Sequence, residues 1–115
     1  MTLQECYESM GADYQGVMSR LMKEDRVLKF LKKAVDGDMI PWLCNSLGEK
    51  NYEEAFRAAH SLKGVCQNLG LTVLEKSSSE LTEALRNGEP SQDVTPLLEQ
   101  VKTDYAALEQ AVAGL

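Results

Sequence analysis

Residues 52–70 read YEEAFRAAHSLKGVCQNLG. Advancing by about 100° per residue from His60 brings Ala55, Ala58, Leu62, Val65, Cys66 and Leu69 between about 140° and 240°. One apolar stripe at this period predicts an amphipathic helix from about Tyr52 to Leu69. Gly70 stands where a helix-terminating glycine belongs, just past the last periodic residue. On the side opposite the stripe lie Glu53, Phe56, Arg57, His60, Lys63, Gly64, Gln67 and Asn68. The chain's one histidine is therefore expected on a solvated helix face, not in a core.

The same period extends in both directions. Toward the N-terminus, Leu3 to Met10 reads as a short helical turn stopped by Gly11. Asp13 reads as the cap of a helix carrying Tyr14, Val17, Met18, Leu21 and Met22. Asp25 restarts or continues it through Val27, Leu28, Leu31, Ala34 and Val35, until Asp36-Gly37 breaks the run. Asp38 is placed to cap the next helix, and Pro41 falls in its first turn, where a missing N–H costs little. Trp42, Leu43 and Leu47 supply its buried face before Gly48 and Asn51 end it. Beyond Gly70, Thr72 opens a helix through Leu74, Leu81 and Leu85 to the Asn87-Gly88 stop. A last one carries Val94, Leu97, Leu98, Val101, Tyr105, Leu108 and Val112, with Pro96 near its start and Gly114 near its end. No segment alternates with the period of a strand. Four substantial helices with short connections predict an all-α fold, an antiparallel four-helix bundle with additional helix on the N-terminal side.

Composition narrows the function. The chain has 115 residues, one domain's worth, so residues 1–115 are expected to form a single unit. Twelve basic against eighteen acidic residues leave a net charge of −6, which repels phosphate backbones and argues against nucleic acid as the main partner. No apolar run approaches the roughly 20 residues needed to span a bilayer, and the N-terminus has neither a basic nor an apolar leader segment. A cytoplasmic protein without membrane contact is expected. Cys6, Cys44 and Cys66 are odd in number, far apart and without a CxxC pair, as small hydrophobes would be rather than a disulfide framework or zinc site. With one histidine, a metal site built on His and Cys is not expected. There is no GxxxxGK[ST] phosphate loop and no kinase signature, so no ATP site is expected.

What remains is His60, the residue type suited to proton or phosphoryl chemistry near neutral pH. Lys63 and Gly64 flank it one turn on. The lysine favours an anion beside the imidazole. A mid-helix glycine costs about 1 kcal/mol relative to alanine; its presence on an exposed face suggests that something must approach the backbone closely. Phe56 is an apolar group on a face that should be polar, and with Gln67 it is a candidate for a docking patch. Arg57 and Lys63 make the patch more basic than the rest of the chain.

Ala59-His60-Ser61-Leu62-Lys63-Gly64, followed by Asn68-Leu69-Gly70, resembles the HxxKGxxxxxG signature of histidine-containing phosphotransfer (HPt) domains. The run DGDMIPWLCNSLGEKNYEEAFRAAHSLKG resembles that family's approach to its phosphohistidine helix, and the following helix with its ALRNG ending is similar too. The resemblance covers about residues 25–112. It implies a phosphoryl carrier, not an enzyme. His60 would accept a phosphoryl group through Nε2 from the aspartyl phosphate of a response-regulator receiver domain, such as that of a hybrid histidine kinase, and pass it to the aspartate of another receiver. Lys63 would help neutralise the phosphoryl oxygens, and Gly64 would leave room for them and for the receiver. The carrier would need no cofactor, the Mg²⁺ and the catalytic groups coming from the receiver. Many members carry a glutamine on the next helix that holds the imidazole; here the matching position is Thr82, whose hydroxyl reaches less far, and Thr82 is counted with Phe56, Arg57 and Gln67 among the residues expected at the receiver-docking surface. A monomer is expected.

Two other readings stay open. The bundle could dock a receiver without accepting phosphate, although an adaptor has no need of His60 with Lys63 and Gly64. It could also be the phosphoacceptor domain of a chemotaxis-type histidine kinase, excised from a longer chain; the Met1 start favours a free-standing protein. A sensor-kinase dimerisation domain fits less well, since Ser61 follows the histidine where that family has an acidic residue.

Overall fold

The computed structural model describes residues 1–115 as seven helices: α1 (Leu3–Ser9), α2 (Tyr14–Leu21), α3 (Glu24–Asp36), α4 (Met39–Gly48), α5 (Tyr52–Leu69), α6 (Thr72–Leu85) and α7 (Thr95–Ala113). Helix α5 packs on α4 and α6, α6 packs on α7, and α7 returns to α3. The bundle thus has four sides, and α3 and α4 together form one of them. Asp36-Gly37 breaks that side, as the sequence indicates, and Gly37 leaves the helix in an extended conformation. No helix is long and apolar enough to cross a membrane.

The core is one cluster running the length of the bundle, with Leu31, Leu43, Leu69, Leu81, Leu85 and Val101 among its fully enclosed members. Cys6 and Cys66 are buried free thiols and Cys44 is half-buried. Burial pushes the Cys66 thiol up to about 12, because ionising it there would strand a charge in an apolar setting.

Several expected boundaries shift by a residue or two, each for a local reason. Helix α3 begins at Glu24 rather than Asp25, separated from α2 by Met22, which adopts the left-handed conformation at φ 69°. Asp38 sits at the N-cap of α4 but its side chain makes no capping bond; its carbonyl accepts from the Trp42 N–H instead, at 2.9 Å. Asn51 does not end α4. It caps α5, its Oδ1 accepting the Glu54 N–H at 3.3 Å. Val94 lies just outside α7, with Pro96 in the first turn.

Helices α1 and α2 close one end of the bundle, at the C-terminus of α5. The last carbonyls of a helix have no partner within it, and here three of them are met from outside. The Tyr7 hydroxyl donates to the Leu69 carbonyl at 2.7 Å, the Asp13 N–H to that of Gly70 at 2.8 Å, and Arg20 Nε to that of Asn68 at 3.1 Å. Gly70 holds φ 69°, and a Cβ there would stand 2.7 Å from the Asp13 carbonyl oxygen. Only glycine combines that backbone conformation with so close a neighbour.

Candidate functional site

His60 lies at the middle of α5, exposed, and no protein group hydrogen-bonds its imidazole. The face predicted from the helical period is the face observed. Ala55, Ala58, Leu62, Cys66 and Leu69 are buried, Val65 is half-buried, and Glu53, Arg57, His60, Gly64, Gln67 and Asn68 are exposed. Gly64 is open to solvent, and a Cβ added there would meet nothing within 4 Å. Packing inside this chain therefore gives no reason for the glycine.

Phe56, one turn before His60, is half-buried against the core. Its ring centroid stands 5.7 Å from that of the imidazole at an interplanar angle of 45°. Across the bundle surface, the Arg86 guanidinium lies over the other reach of Phe56, 5.4 Å from the ring centroid. That distance is within the range of a cation–π contact. Glu83 fixes the guanidinium with a fork of two bonds, from Arg86 Nε at 3.0 Å and Nη2 at 2.6 Å. Those bonds, and the nearby positive charges of Arg86 and Lys63, hold the Glu83 carboxyl below the usual carboxylate range. A side chain from α6 thus bears on the imidazole through Phe56.

Lys63 is half-buried and forms no ion pair. Arg57 differs: it bonds Glu54 at 2.9 Å, and the same carboxylate accepts Trp42 Nε1 at 3.0 Å. Arg57 thus has a partner within the chain, whereas Lys63 is the unpaired ammonium next to His60. Gln67 is exposed on the His60 side.

Thr82 requires a correction. It is fully buried, and its hydroxyl donates to the Ser78 carbonyl at 2.6 Å. It offers no docking surface and no bond to the imidazole. A threonine hydroxyl in a helix commonly returns to the carbonyl four residues back. The signal was in the sequence: Leu74, Ser78, Leu81, Thr82 and Leu85 share one stripe at helical spacing, which places Thr82 inward. Outward positions on the same helix belong to Glu83, with Arg86 at its cap, and these two were not singled out. A basic residue one turn after an acidic one marks a surface pair; its stacking on Phe56 depends on how α5 and α6 are apposed, which sequence spacing alone does not give.

An all-helical bundle presenting one exposed imidazole mid-helix, beside a free lysine and an uncovered glycine, has the form of a histidine phosphotransfer module. The chain belongs to the Hpt domain family, whose model matches residues 3–111; the family serves histidine phosphotransfer in phosphorelays, and its members are phosphocarrier modules rather than enzymes of the ordinary kind. Among solved structures, the HPT domain of an Hpt sensor hybrid histidine kinase from Shewanella is similar in fold, with a TM-score of 0.70 at 18% identity, over 93% of this chain and 97% of that one. No curated protein sequence matches this chain.

Proposed function

We propose that the protein is a phosphoryl carrier in which His60 is the phosphoacceptor and receiver domains are donor and acceptor. The observation that carries this is the exposed, hydrogen-bond-free His60 one turn before a glycine that opens only to solvent. In the step, the Nε2 lone pair attacks the phosphorus of an aspartyl phosphate, the P–O bond to the carboxylate breaks, and the carboxylate leaves. Nδ1 keeps its proton, so the phosphorylated ring carries positive charge until that proton is released. The return step reverses these bonds onto a second aspartate. Such transfer depends on alignment and charge neutralisation. Lys63 supplies a cation for the phosphoryl oxygens. Phe56, clamped by Arg86 and Glu83, limits rotation of the imidazole, and its π-face favours a ring that becomes cationic. The divalent cation comes from the receiver.

The test is transfer of label from a phosphorylated receiver domain in the presence of Mg²⁺. Acid-labile, alkali-stable phosphate should form on the wild type and not on His60→Gln, whose circular dichroism should be unchanged. Label on His60→Gln would sink the assignment. Binding of receivers without label would leave a docking module, and label arriving only from an ATP-loaded kinase domain would make the bundle a kinase's phosphoacceptor domain.

A further inference from the structure

Half of the chain's twelve basic residues lie within residues 20–33. Arg20, Lys23, Arg26, Lys29, Lys32 and Lys33 are opposed there only by Glu24 and Asp25, a balance of +4 against −10 for all other residues. All six are exposed, and none belongs to an ion pair. Glu24 is engaged by the Tyr14 hydroxyl, which donates to it at 3.0 Å. On α3, Arg26, Lys29 and Lys33 fall within about 60° of one another, across the helix from the buried Val27 and Leu31. They form one cationic ridge that looks away from the bundle.

At the head of the ridge, in the turn from α2 to α3, stands Met22. It is the most exposed of the large apolar residues, at 75%. It also holds φ 69°, a left-handed conformation that is strained for a residue with a Cβ. Gly70 takes the same φ at the end of α5, and a helix that stops this way ordinarily does so on glycine or asparagine. Met22 therefore carries two costs, an unfavourable backbone and an apolar side chain standing in water.

We infer that this turn and ridge form a docking surface for an anionic lipid bilayer, with the lysines and arginines against the headgroups and Met22 entering the boundary between headgroups and acyl chains. The sequence-based expectation of no membrane contact rests on the lack of a spanning segment and a leader, neither of which a surface contact requires. The net charge of −6 does not oppose it either. Salt confines each charge to a Debye length of about 8 Å, on a bundle 42 Å long. Composition favours lipid over a protein partner. Protein interfaces are depleted in lysine and enriched in aromatic residues, whereas residues 20–33 hold four lysines, two arginines and no exposed aromatic ring. Basic side chains around one inserted apolar group suit a bilayer, which demands no matching shape. The side of the bundle made by α3 and α4 adjoins α5. With the ridge on the bilayer, His60 points sideways and stays open, so the inference does not depend on the phosphoryl-carrier function.

The test is sedimentation of the full chain with vesicles of phosphatidylcholine and phosphatidylserine in equal parts, and with vesicles of phosphatidylcholine alone. The wild type should be retained on the first, released from them by raised salt, and not retained on the second. Lys29→Gln combined with Lys33→Gln should weaken partitioning about 25-fold, near fivefold for each charge. Both side chains are exposed and unpaired, so the circular dichroism should match the wild type. Met22→Gly should weaken partitioning about tenfold without lowering Tm, because glycine takes φ 69° without strain. Phosphorylation of His60 by phosphoramidate, in which Nε2 displaces ammonia from phosphorus, should proceed equally with and without vesicles. Failure of the wild type to sediment with the phosphatidylserine vesicles at low salt would overturn the inference, as would undiminished retention of the double lysine variant. Loading blocked by vesicles would put His60 against the bilayer and overturn the surface named here. A wild type that ignores vesicles, with receiver affinity lost in the lysine variant, would overturn it in favour of an acidic protein partner.

Discussion

Gly64→Ala should make this protein more stable and a poorer carrier at once. In the free molecule the new methyl group meets nothing within 4 Å, so the change is that of an exposed helix interior, a gain of about 1 kcal/mol from propensity and reduced chain entropy. For a domain of this size that raises Tm by about 4 °C. With a receiver seated against the helix backbone, the same methyl must displace it, and a misplacement of about 1 Å costs roughly 100-fold in transfer. Gly64→Gln keeps most of the helix propensity and extends the obstruction, so transfer between proteins should be lost. Phosphoramidate is small enough to reach Nε2 past either side chain, and loading by it should survive. Thermal unfolding, single-turnover transfer from a phosphorylated receiver and phosphoramidate loading measure the three quantities. A lowered Tm in Gly64→Ala would show that the helix face is not open. Wild-type transfer in Gly64→Gln would show that no backbone approaches it, and the purpose assigned to the glycine would fall.

Lys63→Ala should slow transfer about tenfold, the loss of about 1.4 kcal/mol of charge stabilisation at a half-exposed site, while receiver Kd changes little; equal rates would remove its role. Phe56→Leu keeps the bulk against the core but removes the aromatic pair, worth about 1 kcal/mol. The His60 ring protons should move in the NMR spectrum of the free protein and transfer should fall several-fold, whereas unchanged His60 resonances would refute contact with the imidazole. Tyr7→Phe leaves the Leu69 carbonyl without its donor and should cost about 1–3 kcal/mol of unfolding free energy; denaturant midpoints equal to wild type would contradict the bond. Alkaline stability follows from burial, which raises both the Cys66 thiol and the Tyr7 phenol. A raised folded-state pKa gives stability that is full below the unfolded value and declines as pH climbs above it, so stability should fall from about pH 8.5 for the thiol and from about pH 10 for the phenol. Tyr7→Phe should lessen the second phase, to which the raised phenols of Tyr105 and Tyr14 also contribute, by up to about 1.4 kcal/mol per pH unit, and an undiminished slope would assign it elsewhere.

Local chemistry was legible wherever one helix decides the outcome. The stripe from Ala55 to Leu69 set the face of His60, and the terminating glycine set the end of α5 at Gly70, because both depend on spacing within one segment. Reading became poorer where two helices meet. Thr82 was assigned by counting from the histidine, a measure blind to the turn of α6, although its own stripe already pointed inward. Arg86 bears on the site through Phe56, thirty residues earlier in the chain, and Arg57 is tied to Glu54, whose other oxygen accepts from Trp42. The N-terminal helices carried no legible role, since the groups they serve, the carbonyls of residues 68–70, have no signature in sequence.

Those three carbonyls also order events during synthesis. Tyr7, Asp13 and Arg20 leave the ribosome well before their partners, with about fifty residues between Arg20 and Gly70. At about 5–20 residues per second, that is roughly 3–10 s of waiting. Through this interval α1 and α2, of seven and eight residues, are too short to persist alone, since isolated helices below about 12 residues are marginal in water. The beginning of the chain is thus among its later parts to settle, and the carrier helix acquires a finished end only once the nascent segment folds back onto it.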